Sequence, residues 1–216
     1  MITAGNINEF AIVFSVNDRI VVSKSSIWYY GSFVLYINGV MYGNNEDAAA
    51  LEYCASWIKG FVEESPIENG LINSNTSYEK LSLDEYRFLP MEKIIEMVNA
   101  ITTSHPCLDK EYLKQMHHDY VNNIDYRQYK DKCMAMFRDI NITNIGMSSF
   151  DTIDLLLLMI DYSDSIKRFI VLEHSNESQK GSEYFISSRV VYDVFCEFLE
   201  KYELEKRAFE DRANNN

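Results

Sequence analysis

An Asn-Gly dipeptide between two uncharged apolar runs is the feature that most restricts how this chain folds. Residues 28–43 read WYYGSFVLYINGVMYG and contain no charged side chain. Asn38-Gly39 favours a two-residue type I′ turn, in which both central residues take positive φ, so the stretch predicts a β-hairpin. This turn places Leu35 opposite Tyr42. Because neither face of the hairpin carries a charge, we expect other elements to cover both faces at least partly.

Short β-branched runs elsewhere predict further strands. Glu9–Val16 and Arg19–Ser23 flank Asn17-Asp18, which is the pattern of a second hairpin. Towards the other end of the chain, three apolar runs separated by polar connections predict a meander: residues 152–162, 168–173 and 183–187. The first of these three is rich in leucine and is also compatible with a short buried helix.

Apolar residues at helical spacing dominate the middle of the chain and its end. The predicted helices are residues 48–62, a helix opened by Pro90, 108–120, 126–138 and 188–208. We expect residues 209–216 to form a disordered tail. The order of elements predicts a single α+β domain over residues 1–216, with an antiparallel sheet built from both chain ends. A largely helical central segment, about residues 46–140, is expected to pack against that sheet.

The charge balance restricts the partners of this protein. The chain has 33 acidic and 20 basic residues, a formal net charge of -13. Such a field repels nucleic acids and anionic membranes and attracts basic partners. The longest aliphatic run, residues 155–160, is much shorter than the ~20 residues of a membrane-spanning helix. The first ten residues, MITAGNINEF, lack the pattern of a signal peptide, so we expect a cytoplasmic protein.

Motifs that carry catalysis or bind cofactors do not occur in this sequence. GxxxxGK[ST], GxGxxG, HExxH and GxSxG are all absent, and the four cysteines are not spaced as metal or redox pairs. We therefore expect no enzymatic activity, no cofactor and no metal site. The alternative is a cytosolic enzyme whose active site combines scattered carboxylates with His105, His117 or His174.

Acidic residues concentrate in one part of the chain. Residues 46–86 hold nine acidic and two basic residues, a local charge of -7. Residues 63–80 lose the helical pattern and predict a loop, and binding residues are often placed on loops. Tyrosines in the same region are favoured anchors of protein interfaces. The predicted partner-binding residues are Glu63, Glu64, Glu68, Tyr78, Asp84, Glu85 and Tyr86.

Two sequence stretches carry a resemblance to a known family. FAIVFSV at residues 10–16 is followed by W-x-x-G-x-F-x-L-Y-I-N-G at residues 28–39, and Arg168-Phe169-Ile170 lies in a later strand. In these features the chain resembles the bacterial immunity proteins of polymorphic toxin systems, which act in contact-dependent growth inhibition. Within them it is most similar to the immunity family numbered 42.

The resemblance implies that the protein binds and neutralises a cognate toxin domain and has no catalytic residues of its own. Many such toxins are nucleases with basic clefts, so the expected mechanism is acidic surface complementarity and occlusion. The uncharged hairpin at residues 28–43 is then the sheet that supports the binding surface, and we do not assign it to the interface. The oligomeric state is left open.

Overall fold

The computed structural model of this chain describes residues 1–23, 26–46, 48–64, 87–99, 124–145, 155–175 and 178–214. The described residues fall into two compact units, one within Met1–Tyr78 and Ile142–Asn216, the other within Glu79–Asn141. Eight β-strands and two α-helices lie in the first unit, and two α-helices lie in the second. The predicted α+β class, with antiparallel strands from both chain ends, is confirmed.

The first half of the chain forms a five-stranded antiparallel sheet. Its strands are β1 (Ile2–Asn6), β2 (Phe10–Ser23), β3 (Ser26–Ile37), β4 (Val40–Tyr42) and β5 (Ala49–Ala50). The order is β1-β2-β3-β4, and the short β5 pairs with β3 beyond the end of β4. The long β2 and β3 therefore form the centre of this sheet.

The turn between β3 and β4 is the one that Asn-Gly predicts. Asn38 has φ 49° and Gly39 has φ 81°, so both central residues take the positive φ of a type I′ turn. The register pairs Leu35 with Tyr42, as predicted. Val34 on one face and Leu35 on the other are both buried, which confirms that both faces of the hairpin are covered.

The hairpin predicted around Asn17-Asp18 is wrong. Both flanking runs belong to one strand, β2, and both pair with β3. The register shifts between Val16 and Asp18, which is the sign of a β-bulge. A bulge accommodates the extra residue without reversing the chain, and pairing along the whole length of β3 outweighs the turn preference of Asn-Asp.

The second sheet is the predicted meander. It is antiparallel, in the order β6 (Leu155–Ser163), β7 (Ile166–Ser175), β8 (Ser178–Ser187). The leucine-rich run is therefore a strand in its described part, and the helical alternative does not apply there. The strands of the two chain ends thus form two sheets, whereas a single sheet was expected.

Four α-helices complete the described structure. They are α1 (Leu51–Glu64), α2 (Met91–Asn99), α3 (Ile124–Ile140) and α4 (Ser188–Asn214). These confirm the helices predicted at residues 48–62, after Pro90 and at 126–138, while the helix predicted at 108–120 lies outside the described residues. The single domain over residues 1–216, and the packing of residues 79–140 on a sheet, stay predictions.

Aromatic side chains from both sheets and from α4 form the core of the first unit. Phe10 contacts Phe169 of the second sheet and Phe195 of α4, with ring centroids 5.2 and 5.9 Å apart. Phe198, also fully buried, lies 5.0 Å from Phe14 and 5.7 Å from Phe33. Burying these rings removes large apolar areas from water, so the two sheets and α4 share one core.

Residues 209–214 are helical, although disorder was predicted for residues 209–216, the last two of which lie outside the described residues. α4 continues to Asn214, although the apolar periodicity weakens after Ala208. The Phe209 ring packs edge-on against Tyr29, with centroids 6.3 Å apart, and the Tyr29 hydroxyl donates a hydrogen bond to Glu210 at 2.7 Å. Contacts with β3, rather than local propensity, therefore extend the helix.

Candidate partner-binding surface

Few of the partner-binding residues predicted from the sequence lie in the described structure. Glu63 is exposed in the last turn of α1, and its carboxylate lies 3.6 Å from the Lys59 ammonium. Glu64 ends α1, but its side chain is not described. The others lie outside the described residues: Glu68, Tyr78, Asp84, Glu85 and Tyr86. Their role in binding stays a prediction.

A second candidate surface lies at the far end of the β2–β3 pair. Here residues 19–23 of β2 and 26–29 of β3 pair with each other, and we name them the β2–β3 ribbon. β1 pairs only with residues 10–14 of β2, and β5 reaches only Tyr30 and Gly31 of β3. In the described part of the chain, no third strand therefore pairs with the ribbon.

The ribbon exposes large apolar side chains on both faces. Ile20 and Trp28 are cross-strand partners on one face, and Val21 and Ile27 are partners on the other. Together with Val22 these side chains are between 38% and 65% exposed. Each face therefore carries a pair of exposed apolar side chains, and exposed apolar surface is a frequent feature of interaction sites.

The carboxyl half of α4 holds the ribbon in place. The Arg19 guanidinium pairs with Glu210, which also accepts the hydrogen bond from the Tyr29 hydroxyl. Lys206, in the same half of α4, connects this helix to α1, because its ammonium lies 2.8 Å from Glu52 of α1 and 3.1 Å from Glu203 of α4. Burial alone lowers the pKa of Lys206, but the two carboxylates outweigh it and raise that pKa, so the ammonium stays charged.

A groove of about 410 Å³ lies between the ribbon and the start of α1. It is lined by Ser26, Ile27, Trp28, Glu52, Tyr53 and Ser56. The aromatic rings of Trp28 and Tyr53 are each 39% exposed. Three of the six lining residues are aliphatic or aromatic and three are serine or glutamate, so the groove offers both apolar and polar contacts.

The residues of the enzymatic alternative are not brought together in the described structure. His105 and His117 lie outside it, and His174 lies in β7 with an undescribed side chain. Where the structure describes the chain, no three His, Cys, Asp or Glu side chains are placed to hold a metal ion. Burial raises the pKa of the Cys54 thiol to about 12, which makes it a poor nucleophile. Among the described helices, none has the length and apolarity needed to cross a membrane.

The fold and this surface define an α+β protein with an exposed apolar ribbon. A family model described as immunity protein 42 matches residues 1–201, so the chain belongs to that immunity-protein family. This confirms the resemblance found in the sequence. The family assigns the chain an immunity function, which implies binding to a cognate toxin. Comparisons with curated proteins and with solved structures found no match.

The ribbon was not predictable from the expected pairing, in which Arg19–Ser23 formed a hairpin with Glu9–Val16, whereas residues 19–23 pair with residues 26–29 of β3. The signal was present in the apolar pairs Ile20-Val21 and Ile27-Trp28, in which consecutive residues are both large and apolar. Consecutive residues of a strand point to opposite faces, so such pairs need cover on both sides. A two-stranded ribbon beyond the end of the neighbouring strands does not provide that cover.

Proposed function

We propose that this immunity protein neutralises a toxin domain with a basic surface, and that the toxin is a nuclease. The family match over residues 1–201 supports the inhibitory role. The net charge of -13, with a local charge of -7 within residues 46–86, supports a basic partner. Nucleases bind phosphates through basic clefts, and an acidic protein is drawn to the same surface.

The proposed mechanism is stoichiometric binding without catalysis. Carboxylates of the inhibitor occupy or flank the cleft where phosphates of the substrate would lie, and the bound protein excludes the nucleic acid sterically. Complementary charge raises the association rate, while the desolvated centre of an interface sets the dissociation rate. The protein acts in the cytoplasm, where a delivered nuclease meets its substrate.

Neutralising the acidic segment is expected to slow association with the toxin. Replacing Glu63, Glu64, Glu68, Asp84 and Glu85 by Gln or Asn removes five negative charges. We expect the association rate at low salt to fall about tenfold and its dependence on salt to weaken, since steering is a long-range electrostatic effect. Stopped-flow association with a catalytically inactive toxin domain measures both quantities.

The control removes five carboxylates that lie outside residues 46–86 and pair with basic groups. These are Glu96, Asp161, Asp193, Glu197 and Glu205, which pair with Lys93, Lys167, Arg189, Lys201 and Arg212. We expect this variant to associate with the toxin faster than the first variant. Equal slowing in both would show that only the net charge matters, and no slowing in either would exclude electrostatic steering.

A further inference from the structure

The outer edge of β3 in the ribbon is open to another strand. β5 pairs with β3 only at Tyr30 and Gly31, and within the described chain no strand pairs with the outer edge at residues 26–29. Natural proteins protect exposed edges with charged residues or proline because an open edge pairs with other chains. Residues 26–29 read Ser-Ile-Trp-Tyr and contain neither. This edge therefore lacks the usual protection against strand addition.

The groove beside this edge is suited to the side chains of an added strand. Trp28 from β3 and Tyr53 from α1 both line it, so it offers two half-exposed aromatic rings. In strand addition, main-chain hydrogen bonds supply affinity and pockets for alternate side chains supply specificity. The pairing of Arg19 and Tyr29 with Glu210 holds the ribbon before binding, which lowers the entropic cost of forming a complex.

The charges around the groove indicate the chemistry of the occupant. Glu52 lines the groove. Its carboxylate and that of Glu203 both pair with the ammonium of Lys206, so these three side chains together carry one net negative charge. Asp18 adds a further exposed carboxylate beside Trp28 on the same ribbon face, where it pairs with Tyr30. A matching partner segment has large apolar side chains flanked by lysine or arginine.

The charge of the chain favours a toxin over a second copy of this chain as the occupant. Each copy carries a formal net charge of -13, so two copies repel each other. The groove is lined by the carboxylate of Glu52, which a basic toxin segment complements and a second acidic copy does not.

We infer that the open edge of β3 at residues 26–29 and the adjoining groove bind an extended segment of the toxin domain as an added strand. The segment carries large apolar side chains next to basic ones. This inference rests on the toxin-neutralising function proposed above. In this inference, Trp28 and Tyr53 are the aromatic anchors at the apolar centre of the interface with the toxin.

Truncating either anchor is expected to weaken the complex mainly by faster dissociation. Trp28→Ala and Tyr53→Ala should each raise the dissociation constant at least about 30-fold, as expected for central aromatic anchors, with little change in the association rate. The probe is a catalytically inactive form of the cognate toxin domain. The matched control is Phe185→Ala, because Phe185 is a 48% exposed aromatic residue on β8. The affinity of this variant for the toxin domain should stay within about twofold of wild type.

Amide hydrogen exchange tests strand addition directly, without a substitution. Those backbone amides of residues 26–29 that point away from β2 should exchange more slowly in the complex than in the free protein. A wild-type protein that does not bind the toxin would refute the proposed function itself. Wild-type binding with unchanged affinity in both anchor variants, or without protection at residues 26–29, would refute only the inference. A wild-type dimer that Trp28→Ala converts to monomer, with toxin binding intact, would assign the edge to a second copy and also refute it.

Discussion

Replacing Gly31 with alanine is expected to destabilise the first unit strongly. A Cβ at this position would overlap the carbonyl oxygen of Ser15 and lie 2.7 Å from its carbonyl carbon, and 3.2 Å from a methyl group of Leu51. The Ser15 and Ser32 hydroxyls are hydrogen-bonded to each other at 2.8 Å, and the bulge between Val16 and Asp18 is next to this pair. Because β2 and β3 are held together here, they cannot move apart to make room for a Cβ without losing strand pairing. We expect a loss of at least about 3 kcal/mol in the free energy of unfolding, measured by denaturant titration.

Gly60→Ala is the matched control for this substitution. Gly60 lies in α1, and a Cβ there meets no atom within 4 Å. Alanine is the better helix former by about 1 kcal/mol, so this variant should be more stable than wild type. If Gly31→Ala were as stable as Gly60→Ala, the close approach of β2 and β3 described here would be wrong.

Replacing Phe198 with alanine is expected to have the second large effect on stability. Phe198 is fully buried, and its ring contacts Phe14, Phe33 and Tyr202 at centroid distances of 5.0, 5.7 and 5.8 Å. Truncation removes the buried ring and leaves a cavity between α4 and the first sheet. We expect a loss of ~3–5 kcal/mol in the free energy of unfolding, a large part of the ~5–15 kcal/mol of a typical domain.

Phe185→Ala provides the comparison for the core variant. Phe185 is 48% exposed and contacts Tyr162 with ring centroids 5.0 Å apart. Its truncation should lower the free energy of unfolding by less than about 1.5 kcal/mol. That is the upper value for the contact between two aromatic rings, counted apart from the burial of their surface. A cost at Phe185 equal to that at Phe198 would contradict the placement of α4 over the first sheet.

The local turn and the strand periodicity were predictable because short-range chemistry determines them. Asn38-Gly39 is one of the few dipeptides that readily takes two positive φ values, and this also determined the register of β3 with β4. The meander of β6, β7 and β8 was predictable from apolar runs separated by polar connections.

The errors arose where contacts distant in sequence decided the structure. Asn17-Asp18 has turn propensity, but pairing with β3 on both sides converts the expected turn into a bulge. Phe209 and Glu210 follow a weak helical pattern, yet their contacts with Tyr29, some 180 residues earlier, continue the helix. The exposed ribbon depends on where β1 and β5 stop pairing, which no local pattern shows.

The most direct test of the central claim is titration calorimetry of this protein against its cognate toxin domain, at low and at high salt. The account predicts a tight one-to-one complex whose affinity falls as salt rises, together with loss of toxin activity at one equivalent of inhibitor. Tight binding that is indifferent to salt would contradict the acidic mechanism and leave the apolar ribbon as the main contact. Absence of binding at either salt concentration would contradict the claim that this chain neutralises that toxin.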